Sequence, residues 1–162
     1  EDKKEAISFR LATVFGISHR MRLDLLVNDL TYRALEQKRL ELFEKHFKRN
    51  FVHIEDVACV FEHAINNYGE MTKMRVFNVG HPKANVSKEE LVMKIKAQVP
   101  NLEIVEVERQ DPDKRNYIVS NERLLRAGFT FTHIRRRYRG AYQGISLVQG
   151  AFNLRSIEEY LK

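Results

Sequence analysis

The chain has 162 residues, 43% hydrophobic and 31% charged, enough apolar mass for one compact unit around a real core. No apolar run approaches bilayer-spanning length and no leader-like segment opens the chain, so a soluble protein with no membrane partner is expected. A lone cysteine, Cys59, excludes an internal disulfide and no spaced His/Cys set suggests zinc, which leaves a reducing cytoplasm as the default.

The formal charge of +6 and a pI near 9.5 point to anionic partners, without separating nucleic acid from phosphorylated metabolites. The first apolar segment, Ile7 to Phe15 (ISFRLATVF), has bulky or β-branched residues on both alternating faces and stops at Gly16, the pattern of a parallel strand covered on both sides. Few residues precede it, so its sheet neighbours come later or are missing, and the chain reads as starting in mid-fold. Apolar residues at 23, 26, 27, 30 and 34 predict one face of a helix running to about Gln37. Arg39 to Phe43 and Asn50 to Ile54 read as short strands. Glu55 and Asp56 suit a first helical turn, with Val57, Ala58, Val60, Phe61, Ala64 and Ile65 as its buried stripe and Asn66, Asn67 and Gly69 as its end.

Arg75 to Val79 predicts a strand closed by Gly80 and Pro82. Ser87 and Glu90 form a capping box for a helix bearing Leu91, Val92, Ile95 and Val99, stopped by Pro100. Leu102 to Val107 alternates as a strand, Asp111 to Lys114 is rich in turn residues, and a short helix after Asn121 ends at Gly128. Residues 133 to 149 are a candidate helix interrupted by Gly140 and Gly144, and Ser156 is placed to cap a last turn, Ile157 to Leu161.

Three stretches then stand out: Phe9 to Gly16 (FRLATVFG), Arg49 to Ala58 (RNFVHIEDVA) and Lys114 to Tyr117 (KRNY). In that order and spacing they resemble the extended short-chain dehydrogenase/reductase family of nucleotide-sugar epimerases, dehydratases and decarboxylases, over about residues 5 to 131. The resemblance implies an α/β fold, the C-terminal part of a doubly wound Rossmann-like sheet plus a small mixed α/β substrate lobe. Residues 5–22 and 55–80 would be Rossmann-edge elements, 23–54 and 81–131 the substrate-binding lobe, and 132–162 a C-terminal helical tail, all in one unit. For the intact protein it implies oxidation at the sugar C4 by NAD or NADP, followed by epimerisation, dehydration or decarboxylation, and a homodimer formed through helices of an N-terminal half.

That family opens with a Gly-rich strand-turn-helix for the dinucleotide pyrophosphate and uses a Tyr-x-x-x-Lys pair for chemistry. Neither exists here: Gly16 is the only glycine before Gly69, and Tyr32, Tyr68 and Tyr117 lead to Glu36, Thr72 and Asn121. No catalytic residue and no metal ligand is therefore expected, and the chain alone should show no turnover, no tight NAD binding and no family-type dimer.

The resemblance assigns Arg49 to the diphosphate of a nucleoside-diphosphate sugar, a role its planar guanidinium fork suits; the alternative is a solvated arginine ahead of a strand. Phe51, on the same strand face, lines the base or ribose region or is plain core. Arg115 would clamp the nucleotide from the other side, or belong to an ordinary charged turn; Asn116 follows it where relatives carry an acidic or serine-like residue. Asn28 matches an asparagine whose amide reaches the diphosphate, and an amide both donates and accepts. Leu11 and Thr13 lie on the strand that runs under nicotinamide and sugar in the family, Leu11 toward the cofactor and Thr13 toward the substrate. Relatives often have Asn at the position of Thr13 and Pro at that of Ile17. Arg20 and Arg22 add positive charge in the loop from Gly16 to Arg22. His53 and Asp56 invite an acid–base reading, but at a strand-to-helix junction Asp56 is expected to cap the helix or to favour its free N–H groups, and His53 to pack or to orient Arg49. Cys59 is expected to be inert packing.

Two other readings stay open. A nucleic-acid-binding module would use Arg135, Arg136, Arg137, Tyr138 and Arg139, though no RNP, KH, zinc or helix-turn-helix pattern accompanies that run. A catalytically inactive sugar-nucleotide-binding scaffold is the other.

Overall fold

A computed structural model describes residues 5–16, 20, 22–110 and 115–131 of the chain. In chain order its elements are β1 (Ser8–Leu11), β2 (Thr13–Phe15), α1 (Leu26–Gln37), β3 (Arg39–Leu42), β4 (Lys48–His53), α2 (Ile54–Asn66), α3 (Tyr68–Met74), β5 (Val76–Val79), a 3-10 turn (Pro82–Ala84), β6 (Asn85–Ser87), α4 (Lys88–Lys96), β7 (Glu103–Glu106) and α5 (Glu122–Arg126). The expected turn at Asp111 to Lys114, helix at 133–149, last turn after Ser156 and arginine run at 135–139 lie outside the described residues.

The apolar segment Ile7 to Phe15 is not one strand. β1 pairs in parallel with β5, Ser8 opposite Val76 and Leu11 opposite Val79, and the chain then changes partner: β2 runs parallel to β4, with Thr13 opposite Phe51 and Phe15 opposite His53. The changeover is at Ala12, whose N–H donates to the Val79 carbonyl at 2.8 Å. Among the described residues β1 is an edge strand with a neighbour on one side only, and Ser8 and Arg10 are exposed and Leu11 is 45% exposed. A separate parallel pair, β3 with β7, and the antiparallel contact of β4 with β6 complete the sheet structure.

β4 separates two apolar cores because successive side chains point to opposite faces. Phe51 joins Val27, Leu30, Leu40, Leu91 and Ile95 between α1, β3 and α4. Val52 joins Val57, Val60, Met71, Phe77 and Leu124 between α2, β5 and α5. In α2 the buried stripe is narrower than the sequence suggests: Val57, Val60 and Ala64 are buried, whereas Ala58 is exposed, Phe61 is 49% exposed and Ile65 77%. A helix lying on one layer buries a limited arc, and this apolar band is wider than that arc.

The capping box of α4 forms as read: the Glu90 N–H donates to the Ser87 hydroxyl at 3.1 Å and the Ser87 N–H to the Glu90 carboxylate at 2.7 Å. Two elements escape the sequence reading. α3 follows Asn67 directly, its interruption held by the Asn67 backbone and side-chain N–H groups donating to the His63 carbonyl, and it buries Met71 and Thr72. β6 has three residues, too few to show a period. No described helix is long and apolar enough to cross a membrane.

The sheets meet at Gly80. The next residue, His81, donates its N–H to the Phe51 carbonyl and accepts the Asn50 side-chain amide at its own carbonyl, each at 3.0 Å. A Cβ added at Gly80 would sit 1.7 Å from Asn50 Oδ1 and 3.0 Å from the Ala12 Cβ. Gly80→Ala is therefore expected to cost about 1–3 kcal/mol of stability through overpacking. Urea unfolding reads this, and an unchanged midpoint would contradict the close passage.

Candidate functional site

The two arginines assigned from sequence are brought to one edge by backbone contacts. The Lys48 N–H donates to the Asn116 side-chain oxygen at 2.9 Å and the Lys48 carbonyl accepts the Tyr117 N–H at 3.1 Å, which lays the segment carrying Arg115 beside the start of β4 next to Arg49. The same segment continues along β6, where Val119 and the Asn85 side chain exchange two hydrogen bonds. Arg49 is half-buried and Arg115 exposed. Asn116, a departure from the family pattern in sequence, is a tether here.

Sequence reading passed over the cleft alongside. At the carboxyl ends of β3 and β7, a cleft of about 700 Å³ is lined by Phe43, Lys45, His46 and Arg109 among others. Lys88, only 7% exposed, holds its ammonium 4.0 Å from the Phe43 ring centroid, and the Arg109 guanidinium lies 5.3 Å from it. The Lys45 ammonium meets Glu106 at 2.8 Å, a contact that raises its pKa above the ordinary lysine value. Crevices at this end of parallel strands are where open α/β sheets take ligands. The signal available in sequence was Phe43 just past a strand and Arg109 just past another, which becomes meaningful only once β3 and β7 are known to pair.

Asn28 is 2% exposed and its amide already serves the chain. Its nitrogen donates to the Arg22 carbonyl at 2.9 Å and its oxygen accepts the Gly16 N–H at a long 3.4 Å. One amide hydrogen and one lone pair remain for a ligand. Asn28 lines a pocket of about 260 Å³ with Gly16, Arg20, Arg22 and Phe15. Arg22 is also paired with Asp24, which raises the arginine pKa and lowers that of the carboxylate. In the register of β2 with β4, Gly16 is level with Ile54, about five residues or roughly 16 Å along the strand from Arg49. Thr13 is half-buried on β2, and Leu11, on the other side of the changeover, belongs to a different sheet, so the two do not lie on one continuous strand face as expected.

Phe51 is 1% exposed and takes the packing alternative: its ring is enclosed in the first core, with no surface left for a base or ribose. The helix cap is His53 rather than Asp56. His53 Nδ1 accepts the Glu55 N–H at 3.3 Å, and the ring packs edge-on against Phe15. Asp56, 1% exposed, lies in the first turn of α2, where a carboxylate favours the free N–H groups, and near enough to His81 for its charge to act on that ring. Cys59 packs against the second core.

His81 was not singled out by sequence. It is 7% exposed, its Nδ1 accepts the Lys83 N–H at 3.1 Å, and its ring meets Phe131 edge-on at 5.0 Å. Burial lowers its pKa below 6.5; the Asp56 carboxylate opposes this and the Lys83 charge adds to it, with a net lowering. The described residues contain no cluster of three or more side chains able to hold a metal ion. Nor do they form a dinucleotide cradle: Gly16, at φ 121°, ends β2 against His53 and Ile54 instead of opening a helix toward a pyrophosphate.

Two outcomes are expected. Because the unfolded histidine takes up a proton that the buried ring resists, stability should fall as pH drops through about 6.5 and level off below the folded ring's lower value. His81→Gln should flatten that part of a urea-midpoint profile between about pH 7.5 and pH 5; an identical slope in the variant would remove His81 as its source. Asn28→Ala should cost about 1–3 kcal/mol, since it strips partners from buried backbone at Gly16 and Arg22, and should speed amide exchange at Gly16. Equal exchange rates in both proteins would show that the amide does not hold the loop.

The model of the NAD dependent epimerase/dehydratase family matches residues 1–80. Among solved structures, an epimerase from Methanothermobacter thermautotrophicus is similar at a TM-score of 0.70 with 15% identity, covering 96% of this chain and 45% of its own. UDP-glucose 4-epimerase from Thermotoga maritima, solved with UDP-glucose, gives 0.65 with 18% identity, covering 95% and 46%. dTDP-glucose 4,6-dehydratase from Bacillus anthracis, solved with NAD, gives 0.64 with 19% identity, covering 95% and 46%. At these identities the likeness carries the fold, and this chain spans less than half the length of each of those proteins. The NAD dependent epimerase/dehydratase match thus covers just under half of this chain and includes the first two of the three motifs, and the solved structures share its α/β fold with parallel strands.

Proposed function

We propose that this chain is the substrate-holding part of an NAD-dependent enzyme that modifies a nucleoside-diphosphate sugar. The observation that supports this reading most directly is the pair of hydrogen bonds linking the Asn116 side chain and the Tyr117 N–H to the Lys48 backbone, which brings the Arg115 segment beside Arg49. Two guanidinium forks at one edge suit a diphosphate, and neither deprotonates near neutral pH. The adjoining cleft adds the Phe43 ring and the Lys45 and Arg109 cations, so a base and its phosphates can be taken together.

In this reading Arg49 and Arg115 hold the diphosphate, while Thr13 and the spare valences of Asn28, toward the other end of β4, face the sugar; Asn28 lies too far along the strand for the diphosphate role that the resemblance implies. Phe51, two residues from Arg49, is core. The division into Rossmann-edge elements at 5–22 and 55–80 and a substrate lobe at 23–54 and 81–131 belongs to the same reading, and the two cores follow it only in part, since Phe15 joins the first and Leu124, Phe129 and Phe131 the second. NAD or NADP would be bound mainly by sequence outside this chain, as the absence of a glycine cradle suggests, and supplies hydride transfer when bound. This chain's residues orient the sugar nucleotide and contribute no proton or hydride. Homodimerisation of the intact protein and a cytoplasmic location belong to the same reading.

Titration with UDP-, GDP- and dTDP-sugars tests the proposal. One of them should bind, with Arg49→Ala and Arg115→Ala each weakening it by about tenfold or more, the loss of a charge-assisted hydrogen-bonded pair. No sugar nucleotide binding, together with tight and steeply salt-dependent binding of single-stranded nucleic acid, would instead favour the basic-module reading.

A further inference from the structure

A second cationic groove, of about 690 Å³, lies on the β1–β5 pair away from the site described above. In β1 the side chains alternate, and Phe9 turns toward the core with Phe77, so Arg10 and its register partner Asn78 occupy the opposite face. That face forms the groove, and four cations from three elements surround it: Arg10 of β1, Lys73 of α3, and Arg123 and Arg126 of α5. Glu122 is the only acidic residue in the lining.

The cations are held in place but not used up. Arg123 donates to the Val76 carbonyl at 3.0 Å and, more distantly, to that of Met74, which fixes its guanidinium at the amino-terminal end of β5 with no carboxylate partner among the described residues. Arg126 pairs with Glu122 at 3.1 Å and Lys73 with Glu70 at 2.6 Å, with every side chain in both pairs more than 65% exposed. Exposed pairs of this kind are weak, so a multivalent anion displaces Glu122 and Glu70 readily. Arg10 is exposed and has no hydrogen bond or ion pair among the described residues.

The groove sits beside the first residues of β5, at the opposite end of the strands from Gly16, up to about 20 Å of extended chain from Arg10. It is thus no extension of the crevice at the carboxyl ends. No aromatic side chain lines it, so it lacks the stacking platform that single-stranded nucleic acid uses. Three guanidinium groups, one ammonium, the Asn78 amide and the Ser120 hydroxyl offer donors alone or adaptable polar groups.

We infer that this groove is a binding site for a compact multiply charged phosphate, a di- or polyphosphate group, separate from the sugar-nucleotide site. Inorganic tripolyphosphate is the probe, followed by calorimetry and by backbone amide NMR shifts. It should bind with a steep salt dependence and shift the Asn78 and Ser120 amides. The exposed double variant R10A/R126A should weaken it about tenfold or more while remaining folded, and R49A should leave it unchanged. Sugar-nucleotide binding should respond in the reverse way, which keeps this inference distinct from the function proposed above. Failure of tripolyphosphate to shift those amides, its loss in R49A with full binding by R10A/R126A, or tighter binding of a single-stranded oligonucleotide to the same groove would each overturn it.

Discussion

The close passage of Gly80 between Asn50 and Ala12 is the constraint on which the arrangement depends. β1 and β5 pair on one side of this point, and β2 and β4 on the other. For the chain to change partners without leaving buried backbone groups unpaired, the end of β5 must lie close to β4. A residue without a side chain permits that approach. The hydrogen bonds of His81 with Phe51 and Asn50 then satisfy the backbone at the crossing, where an orphaned polar group would cost more than any one contact gains.

From that crossing, β4 distributes the rest. Its alternating side chains send Phe51 into one core and Val52 into the other, and its two ends define the functional geography. Arg49 lies at the start, where the Arg115 segment is fastened to Lys48; His53 lies at the end, capping α2 and abutting Gly16. The sugar-nucleotide reading uses the length between these ends, with cations at one and the Asn28-held loop at the other. Core and site share one strand: Phe51, which a motif suggests as ligand-facing, is enclosed in the first core two residues from Arg49.

The cationic character suggested by composition resolves into separate places. One set surrounds Phe43 at the carboxyl ends of β3 and β7, and another surrounds Arg10 on the open face of β1 and β5. Both include exposed charges paired with neighbouring carboxylates, Lys45 with Glu106 and Arg126 with Glu122, and such surface pairs are weak enough to exchange with an incoming anion. The buried polar residues behave differently. His53, His81 and Asn28 direct their polar atoms to backbone groups, fixing loops and helix ends.

The sequence by itself determined the elements whose signals are local: the apolar stripe of α1, the Ser87–Glu90 capping box, the strand ending at Gly80, and the Arg49-to-Ala58 motif that carries the family. Each is set by period, cap chemistry or turn residues within a few positions. Only the tertiary structure decided that Ile7 to Phe15 divides between two sheets, that Phe61 and Ile65 face outward, that His53 rather than Asp56 caps α2, and that Phe43 and Arg109 meet. Those outcomes depend on which strand lies next to which. Hydrogen-bond partners and burial are properties of neighbours in space, and residues as far apart in sequence as Lys48 and Tyr117 leave no local trace of their contact.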